Sequence, residues 1–122
     1  MRSSKQRDLV LSIINSQEDH LTAEEIYNIA KRLMPSISLG TVYRNITQLV
    51  EAKKISRINL YDGIFRYDNN LIKHHYFICE KCGRIEDVYQ DFELPIDFLE
   101  DAKITDYDIY FKGICSDCSK EV

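Results

Sequence analysis

Apolar side chains recur at helical spacing in three successive segments of the first half of the chain. Each segment repeats an apolar residue every three or four positions, which is the period of an α-helix with one buried face. The pattern therefore predicts three amphipathic helices before Lys53. Their apolar positions are Leu9, Val10, Ile13 and Ile14 in the first, Ile26, Ile29, Ala30 and Leu33 in the second, and Val42, Ile46 and Leu49 in the third.

The second and third helices have recognisable starts. Thr22 and Glu25 have the spacing of a capping box, in which the hydroxyl and the carboxylate each accept a hydrogen bond from a backbone N–H. Ser38 stands where a cap for the third helix is needed, because serine oxygen accepts the free amides of a first turn. These residues predict helix starts close to positions 22 and 38.

After Lys53 the pattern changes to that of strands. Residues 55–60 and 64–67 flank Asp62-Gly63, which is a strong signal for a short hairpin. Three helices followed by a two-stranded hairpin is the order of elements in a winged helix-turn-helix. The sequence therefore predicts a DNA-binding domain of this type over residues 1–70.

The second half of the chain mixes strand-like and helical patterns. The predicted elements are strands over residues 74–79 and 84–89, a short helix over 93–102 and a strand over 106–114. Alternating apolar and polar residues predict that the last strand buries one face. These elements predict a small α/β domain over residues 74–122, joined to the first by a hinge at residues 71–73, and an α+β fold for the whole chain. A domain this small has too little hydrophobic core to be stable alone, so we expect a bound metal ion and self-association to stabilise it.

The four cysteines form two pairs with C-x-x-C spacing. The pairs are Cys79 with Cys82 and Cys115 with Cys118. Each turn directs two sulfurs at one point, so two turns supply the four thiolates of a tetrahedral zinc site. Such a site has no open position for a substrate, and it predicts one structural zinc per chain. Two disulfides, or two unrelated redox motifs, are the alternative interpretation.

Composition is that of an ordinary globular protein, with 44% hydrophobic and 30% charged residues. No apolar run reaches the length of a membrane span and no signal sequence is apparent, so we expect a cytoplasmic protein with reduced thiols. The net charge of −4 is uneven, since residues 1–70 carry ten basic and eight acidic residues and residues 71–122 carry six and twelve. The first half thus favours nucleic acid and the second favours cations.

The predicted third helix has a polar face opposite its apolar stripe. Its side chains can bond phosphates or read base edges in a major groove, and with the cap they are Ser38, Thr41, Tyr43, Arg44, Thr47 and Gln48. Arg44 suits a guanine or a phosphate, and Tyr43 suits a phosphate or a thymine methyl group. A solvated surface is the alternative, but basic residues elsewhere in this half favour DNA. These are Arg57 and Arg66 in the hairpin and Arg2, Lys5 and Arg7 at the start.

Taken together, these segments resemble the Fur superfamily of metal-dependent bacterial regulators, which includes ferric-uptake, zinc-uptake and peroxide-sensing members. The most specific segments are LTAEEIY (21–27), SLGTVYRN (38–45), FRYD (65–68), HHYFICEKCGRIED (74–87) and GICSDC (113–118). The resemblance implies a winged helix followed by a dimerisation domain, and a homodimer that binds inverted repeats in double-stranded DNA through the third helix. It also implies repression of metal-uptake or peroxide-response genes, with no enzymatic activity and no small organic ligand.

The resemblance further implies a regulatory site for a second divalent metal, Fe²⁺, Mn²⁺ or Zn²⁺. Peroxide-sensing members hold this ion with three histidines and two aspartates. Four of these positions are matched, by His20, Asp68, His74 and Asp87. The fifth falls on Tyr76, and the neighbouring His75 is expected on the opposite face of its strand. Because the ligands come from both domains, the ion would favour the geometry that binds DNA.

The chain departs from the family in two further ways. It is expected to lack the extra helix that many members carry ahead of the winged helix. Lys73 replaces a histidine of the family's additional histidine-rich site, which is therefore not expected. In peroxide-sensing members, iron at the regulatory site oxidises a histidine ligand, and by resemblance His20 and His74 are the positions at risk.

Two other classes of function are alternatives. An enzyme would need a nucleophilic cysteine outside the zinc site, and none remains if all four bind zinc. No nucleophile elbow, phosphate loop or zinc-protease motif is present. A zinc-stapled dimerisation module that modulates a full-length relative without reading DNA is the second alternative.

Overall fold

The computed structural model describes residues 4–17, 20–60, 63–93 and 99–120. The chain divides into two compact units, Met1–Ile72 and Lys73–Val122, and each unit has its own cluster of buried side chains. Over the described residues, no helix is both long enough and apolar enough to cross a membrane.

The first unit begins with three helices, which are α1 (Lys5–Ser16), α2 (Ala23–Leu33) and α3 (Leu39–Glu51). Each starts immediately after a side-chain cap, and the caps are Ser4, Thr22 and Ser38. The predicted capping box at Thr22 is complete, with Glu25 N–H donating to the threonine oxygen at 3.2 Å and Thr22 N–H donating to the glutamate at 3.0 Å. The predicted cap at Ser38 is also present.

The apolar stripes of the three helices meet in a single core. Nearly every predicted inward position is buried or partly buried, with Val10, Ile26 and Val42 fully enclosed. Leu33 is the exception, because it lies at the last residue of α2, beyond the reach of the core, and is 67% exposed. The prediction that Leu33 faces inward was therefore wrong.

A two-stranded hairpin completes the first unit. Strands β1 (Ser56–Asn59) and β2 (Phe65–Asp68) pair antiparallel, so the predicted order of a winged helix is present. Leu21, just before α2, forms an isolated antiparallel bridge with Tyr67. Gly63 has a φ of 74°, a conformation that glycine adopts without strain. Asp62, the other half of the predicted turn signal, lies outside the described residues.

In the residues that the structure describes, the second unit contains a three-stranded sheet and one short helix. Its elements are β3 (His75–Cys79), β4 (Ile85–Val88), β5 (Tyr110–Gly113) and α4 (Ser116–Ser119). Within the described residues the strand order is β4-β3-β5, with β3 antiparallel to β4 and parallel to β5. The parallel register sets Cys79 opposite Gly113. Both cysteine turns therefore begin at the same end of the sheet.

Close packing holds β5 against β3. A side chain at Gly113 would place its Cβ atom 3.3 Å from the Phe77 ring. Glu80 N–H also donates to the Gly113 carbonyl at 2.7 Å. Glycine at this position therefore lets the last strand approach closely enough to deliver Cys115 to the end of the sheet.

Two elements predicted for the second unit, a helix and a strand, have different outcomes. Most of the predicted helix over residues 93–102 falls on residues 94–98, which lie outside the described part, and residues 99–102 are not helical. The predicted strand over 106–114 shortens to β5, and its predicted buried face was wrong. Tyr110 and Phe111, on opposite faces, are 37% and 40% exposed because neither face of β5 is fully covered.

Candidate metal centres and DNA-reading helix

The four cysteine side chains converge in the second unit. We call residues 79–82 the first knuckle and residues 115–118 the second knuckle. The four sulfur atoms all lie within 4.8 Å of one another, and Cys82 Sγ is 3.8 Å from Cys115 Sγ. A tetrahedral zinc with bonds of about 2.3 Å separates its sulfurs by about 3.8 Å. All four thiols are free, so the disulfide interpretation was wrong.

Backbone amides of both knuckles point at the sulfurs. Cys79 Sγ accepts from the amide of Cys115 at 3.3 Å and from that of Cys82 at 3.4 Å. These donors, that of Cys115 first, lower the pKa of Cys79 to about 6. Hydrogen bonding to a thiolate stabilises the charged form. Backbone amides of both knuckles thus prepare the sulfur of Cys79 as a metal ligand.

The remaining sulfurs show why the cluster requires a cation. The sulfur of Cys115, together with burial, raises the pKa of Cys118 well above its ordinary value. Neighbouring sulfurs cannot all be thiolates at this separation unless a positive charge lies among them. Zinc supplies that charge and deprotonates its ligands. The residues present therefore fit the predicted structural zinc.

In the first unit, His20 lies beside Asp68. The Leu21–Tyr67 bridge, with Tyr67 N–H donating to Leu21 O at 2.9 Å, brings the segment before α2 to the end of β2. As a result, His20 Nε2 is 3.5 Å from Asp68 Oδ2, and the two side chains are 6% and 19% exposed. A sheltered imidazole next to a carboxylate offers one nitrogen and one oxygen ligand.

In the second unit, His74 lies beside Asp87. His74 Nε2 is 2.8 Å from Asp87 Oδ1, and the histidine side chain is only 2% exposed. Two tyrosines enclose the imidazole, with ring centroids at 4.7 Å for Tyr76 and 4.8 Å for Tyr89. This pair repeats the nitrogen-and-oxygen donor set of the first unit, in a more enclosed setting.

Tyr76 and His75 occupy different surroundings on β3. Tyr76 is the register partner of Asp87 and lies on the His74 ring. The His75 ring instead stacks on Tyr107 at 5.7 Å and contacts Phe92 at 5.5 Å. The expectation that His75 faces away from His74 is therefore confirmed. Tyr89 had no signal in the sequence, because stacking on His74 depends on the antiparallel pairing of β3 with β4.

The described residues thus contain two kinds of donor set. The four sulfurs suit a structural zinc, and the histidine and aspartate pairs suit a second divalent metal such as iron, manganese or zinc. No further grouping of three or more histidine, cysteine, aspartate or glutamate ligands occurs in the part of the chain that the structure describes.

The polar face of α3 carries the candidate DNA contacts. The Ser38 hydroxyl donates to Thr41 Oγ1 at 2.9 Å, and the Arg44 guanidinium donates to the same oxygen at 2.9 Å. These bonds fix the first turns of the helix while Tyr43 and Arg44 remain exposed. The Tyr43 hydroxyl donates to Glu24 Oε1 at 2.8 Å, a contact between α2 and α3 that no sequence pattern indicated.

Two arginines of the predicted basic surface differ in their surroundings. Arg57 on β1 is exposed, with its guanidinium 5.1 Å from the centre of the Phe65 ring. Arg7 is only 9% exposed and donates to Gln48 Oε1 at 3.4 Å. Arg7 therefore links α1 to α3, and the expectation that it contributes an exposed positive charge was wrong.

Comparison with families and curated proteins agrees with these features. The model of the ferric uptake regulator family matches residues 1–111. The ferric uptake regulation protein of Bacillus subtilis is 38% identical over 117 residues, covering 88% of this chain and 77% of that protein. The peroxide-responsive repressor PerR of Staphylococcus epidermidis is 29% identical over 125 residues, covering 99% and 83%.

Solved structures give the same result. The Helicobacter pylori ferric uptake regulator Fur, described as having three functional metal binding sites, superposes with a TM-score of 0.77 at 25% identity, covering 99% of this chain and 84% of that one. The Campylobacter jejuni peroxide stress regulator superposes with a TM-score of 0.68 at 29% identity, covering 93% and 88%. The chain belongs to the ferric uptake regulator family, whose members are metal-responsive transcriptional regulators rather than enzymes.

Proposed function

We propose that this chain is a homodimeric repressor whose affinity for an inverted-repeat operator depends on a regulatory divalent metal. Two features of the described residues support the proposal. The polar face of α3 presents exposed polar and basic side chains, and each unit supplies a histidine next to an aspartate. The pairing of His74 with Asp87 is the observation that carries the proposal, because an enclosed imidazole beside a carboxylate is a ready ligand pair.

The proposed regulatory site combines both pairs. His20 and Asp68 from the first unit and His74 and Asp87 from the second would hold one ion, with Tyr76 next to it. Two neutral imidazoles and two carboxylates accept iron, manganese or zinc. An ion bound by ligands from both units restricts their relative geometry. The ion favours DNA binding by a free energy equal to the difference between its binding to the DNA-competent geometry and its binding to the other geometries.

The proposed DNA interface is the exposed face of α3 together with the hairpin. Its residues are Ser38, Thr41, Tyr43, Arg44 and Arg57. The guanidinium of Arg44, tethered at one nitrogen by Thr41, keeps donors for guanine or phosphate. Arg57 on the hairpin carries a positive charge suited to the backbone of the duplex. Such contacts position the helix and provide the salt dependence of binding.

The proposed dimer forms through the second unit. Within the described residues β5 is an edge strand of the sheet, and exposed strand edges invite pairing with another chain. Tyr110, Phe111 and Ile114 expose between 37% and 50% of their surface. Contact with a second copy of the chain would bury these side chains and supply the core that this small unit lacks.

A binding experiment tests the proposal. Zinc-loaded protein is titrated into a labelled duplex from its own promoter, with and without Mn²⁺ at fixed salt. We expect retention of the duplex to require the added metal in the native protein and to be lost in His74→Ala. Metal-independent retention would contradict the regulatory role, and no retention at low salt would favour an interaction module that does not read DNA.

The choice of regulated genes needs a separate test. Hydrogen peroxide is added to iron-loaded and to manganese-loaded protein, and the peptides are analysed by mass spectrometry. A peroxide sensor gains one oxygen atom on His20 or His74 only in the iron form. A regulator of metal uptake leaves both histidines unmodified and instead changes DNA affinity with the concentration of free metal.

A further inference from the structure

A single side-chain contact ties the reading face of α3 to the start of α2. Glu24 lies in the first turn of α2, two residues after the Thr22 cap, and Tyr43 lies on the polar face of α3 with 41% of its surface exposed. The Tyr43 hydroxyl is 2.8 Å from Glu24 Oε1. The phenol that faces the proposed DNA site is therefore fixed by a residue from another helix.

The direction of this hydrogen bond follows from the charge of its acceptor. The bond from Tyr43, and then the backbone N–H of Glu24 itself, lower the pKa of the Glu24 carboxyl below its ordinary value. An ionised carboxylate can only accept, and a tyrosine hydroxyl has a single proton. Tyr43 must therefore donate to Glu24, and its oxygen retains only the capacity to accept.

This direction limits what Tyr43 can bind on DNA. Phosphate oxygens accept hydrogen bonds and offer nothing for a second acceptor. In the major groove, exocyclic amino groups donate, N6 on adenine and N4 on cytosine. Tyr43 held in this way cannot donate to a phosphate, which was one of its two expected roles, but it can accept from an adenine or a cytosine.

Open space beside Tyr43 means that its ring needs the hydrogen bond to hold its position. A cavity of ≈ 490 Å³ lies between the start of α2, Tyr43 and the hairpin, with Ile64 and Phe65 on its far wall. The Tyr43 ring thus has room to turn away from the helix face on that side. The bond to Glu24 restricts this movement.

We propose that Glu24 is a positioning residue for DNA recognition, which holds the Tyr43 hydroxyl as an acceptor for the amino group of an adenine or a cytosine in each half-site. The inference rests on the proposed function, since it requires α3 to read DNA. Glu24 itself carries a negative charge that the phosphates repel, and the hydrogen bond across to α3 is made with Tyr43 rather than with the duplex. Its effect is on the choice of base rather than on general affinity.

The test uses the full-length, Mn²⁺-loaded protein and a randomised duplex library. The native protein selects its preferred duplex, and anisotropy then measures Kd for this duplex and for each single base-pair change. We expect Glu24→Ala and Tyr43→Phe each to reduce discrimination at the same base pair by about tenfold, the order of one lost base contact. The double variant should show no further reduction, because both changes remove the same interaction.

Matched controls separate positioning from a structural effect. Glu25→Ala removes an adjacent carboxylate that bonds the Thr22 backbone instead, and it should lower stability without changing base preference. Glu24→Gln keeps an oxygen that accepts the Tyr43 proton, and it should retain most of the discrimination. A further measurement changes the DNA instead of Glu24. Removing the amino group from the selected base should weaken binding by the native protein about tenfold, and it should leave the affinity of Tyr43→Phe unchanged.

The outcomes distinguish the inference from the proposed function. If the native protein enriches no sequence, the proposed function fails and the inference fails with it. If it enriches a sequence and Glu24→Ala keeps every base preference, only the inference is overturned. A Tyr43-dependent base other than adenine or cytosine would overturn it as well.

Discussion

Arg84 and Asp117 form an ion pair, with 2.8 Å between Arg84 Nη1 and Asp117 Oδ2. Arg84 follows the first knuckle by two residues, and Asp117 lies inside the second. Arg84 also pairs with Glu86 on β4 at 2.8 Å. The two knuckles are therefore connected by a charged side chain as well as by the amide-to-sulfur bonds of the cluster.

We predict that Arg84→Gln accelerates zinc loss. Both partners are substantially exposed, at 43% and 75%, so solvent screening should leave the pair with little effect on the free energy of unfolding. Its larger effect should be on the second knuckle, because Asp117 lies within it. The measurement is the rate of zinc transfer to a coloured chelator, followed at constant pH. Glu86→Gln is the control, since it removes a partner of Arg84 without touching the second knuckle, and an equal rate in both variants would contradict the prediction.

Cys118→Ser and His74→Ala should separate the two metals. Cys118→Ser removes a buried ligand of the closed site, so we expect loss of the firmly held zinc, a lower Tm and weaker dimerisation. His74→Ala should retain one zinc per chain and the dimer but lose metal-stimulated DNA binding. Metal content by mass spectrometry, sedimentation and thermal melting measure these effects. Equal behaviour of the two variants would show that the structural and sensing roles are not separate.

The zinc affinity should depend on pH with a change of slope near pH 6. Protons compete with zinc for thiolates, so affinity falls as pH falls. The pKa of Cys79 is lowered to about 6, which means that the fold favours its thiolate. This contribution to native stability is complete above the ordinary thiol pKa and is lost as pH falls through about 6. Competition titrations between pH 5 and 8 should therefore steepen below about pH 6, and a uniform slope over this range would contradict the role of the Cys115 and Cys82 amides.

Arg44 and Arg57 should affect DNA binding in different ways. If Arg44 reads a base, Arg44→Ala should cost about 1–3 kcal/mol and relax preference at one position of each half-site. Arg57→Ala should weaken binding to all duplexes and reduce the slope of log Kd against log salt by about one, as expected for a phosphate contact. Titrations of selected and scrambled duplexes at several salt concentrations distinguish these results. A loss of base preference in Arg57→Ala would reverse the two assignments.

Local patterns in the sequence predicted the elements well where the controlling interactions are local. The capping box of Thr22 and Glu25 and the cap at Ser38 are confirmed because each involves residues three apart. The convergence of the cysteines was predicted from ligand chemistry, since two C-x-x-C turns leave few other arrangements. These predictions needed no knowledge of how distant segments pack.

Predictions from the sequence failed where tertiary packing decides whether a side chain is buried and what it contacts. Leu33 continues the apolar stripe of α2 but lies past the edge of the core. The sequence predicts a surface cation at Arg7, yet the side chain is buried and its head group donates to Gln48. The pairing of Tyr43 with Glu24 joins residues 19 apart, which helical periodicity cannot indicate. The alternation around Tyr110 predicts a strand correctly but not what covers it.

The parallel register of β3 and β5 has a consequence for how the chain can change. The stretch between Val88 and Tyr110 can gain or lose residues without moving the metal ligands, because the zinc depends on which residue of β5 stands opposite Cys79. A deletion of one residue within β5 would shift Cys115 along the strand by about 3.3 Å and turn it to the other face. Insertions and deletions should therefore be tolerated before Tyr110, whereas within β5 they should prevent the second unit from folding around zinc.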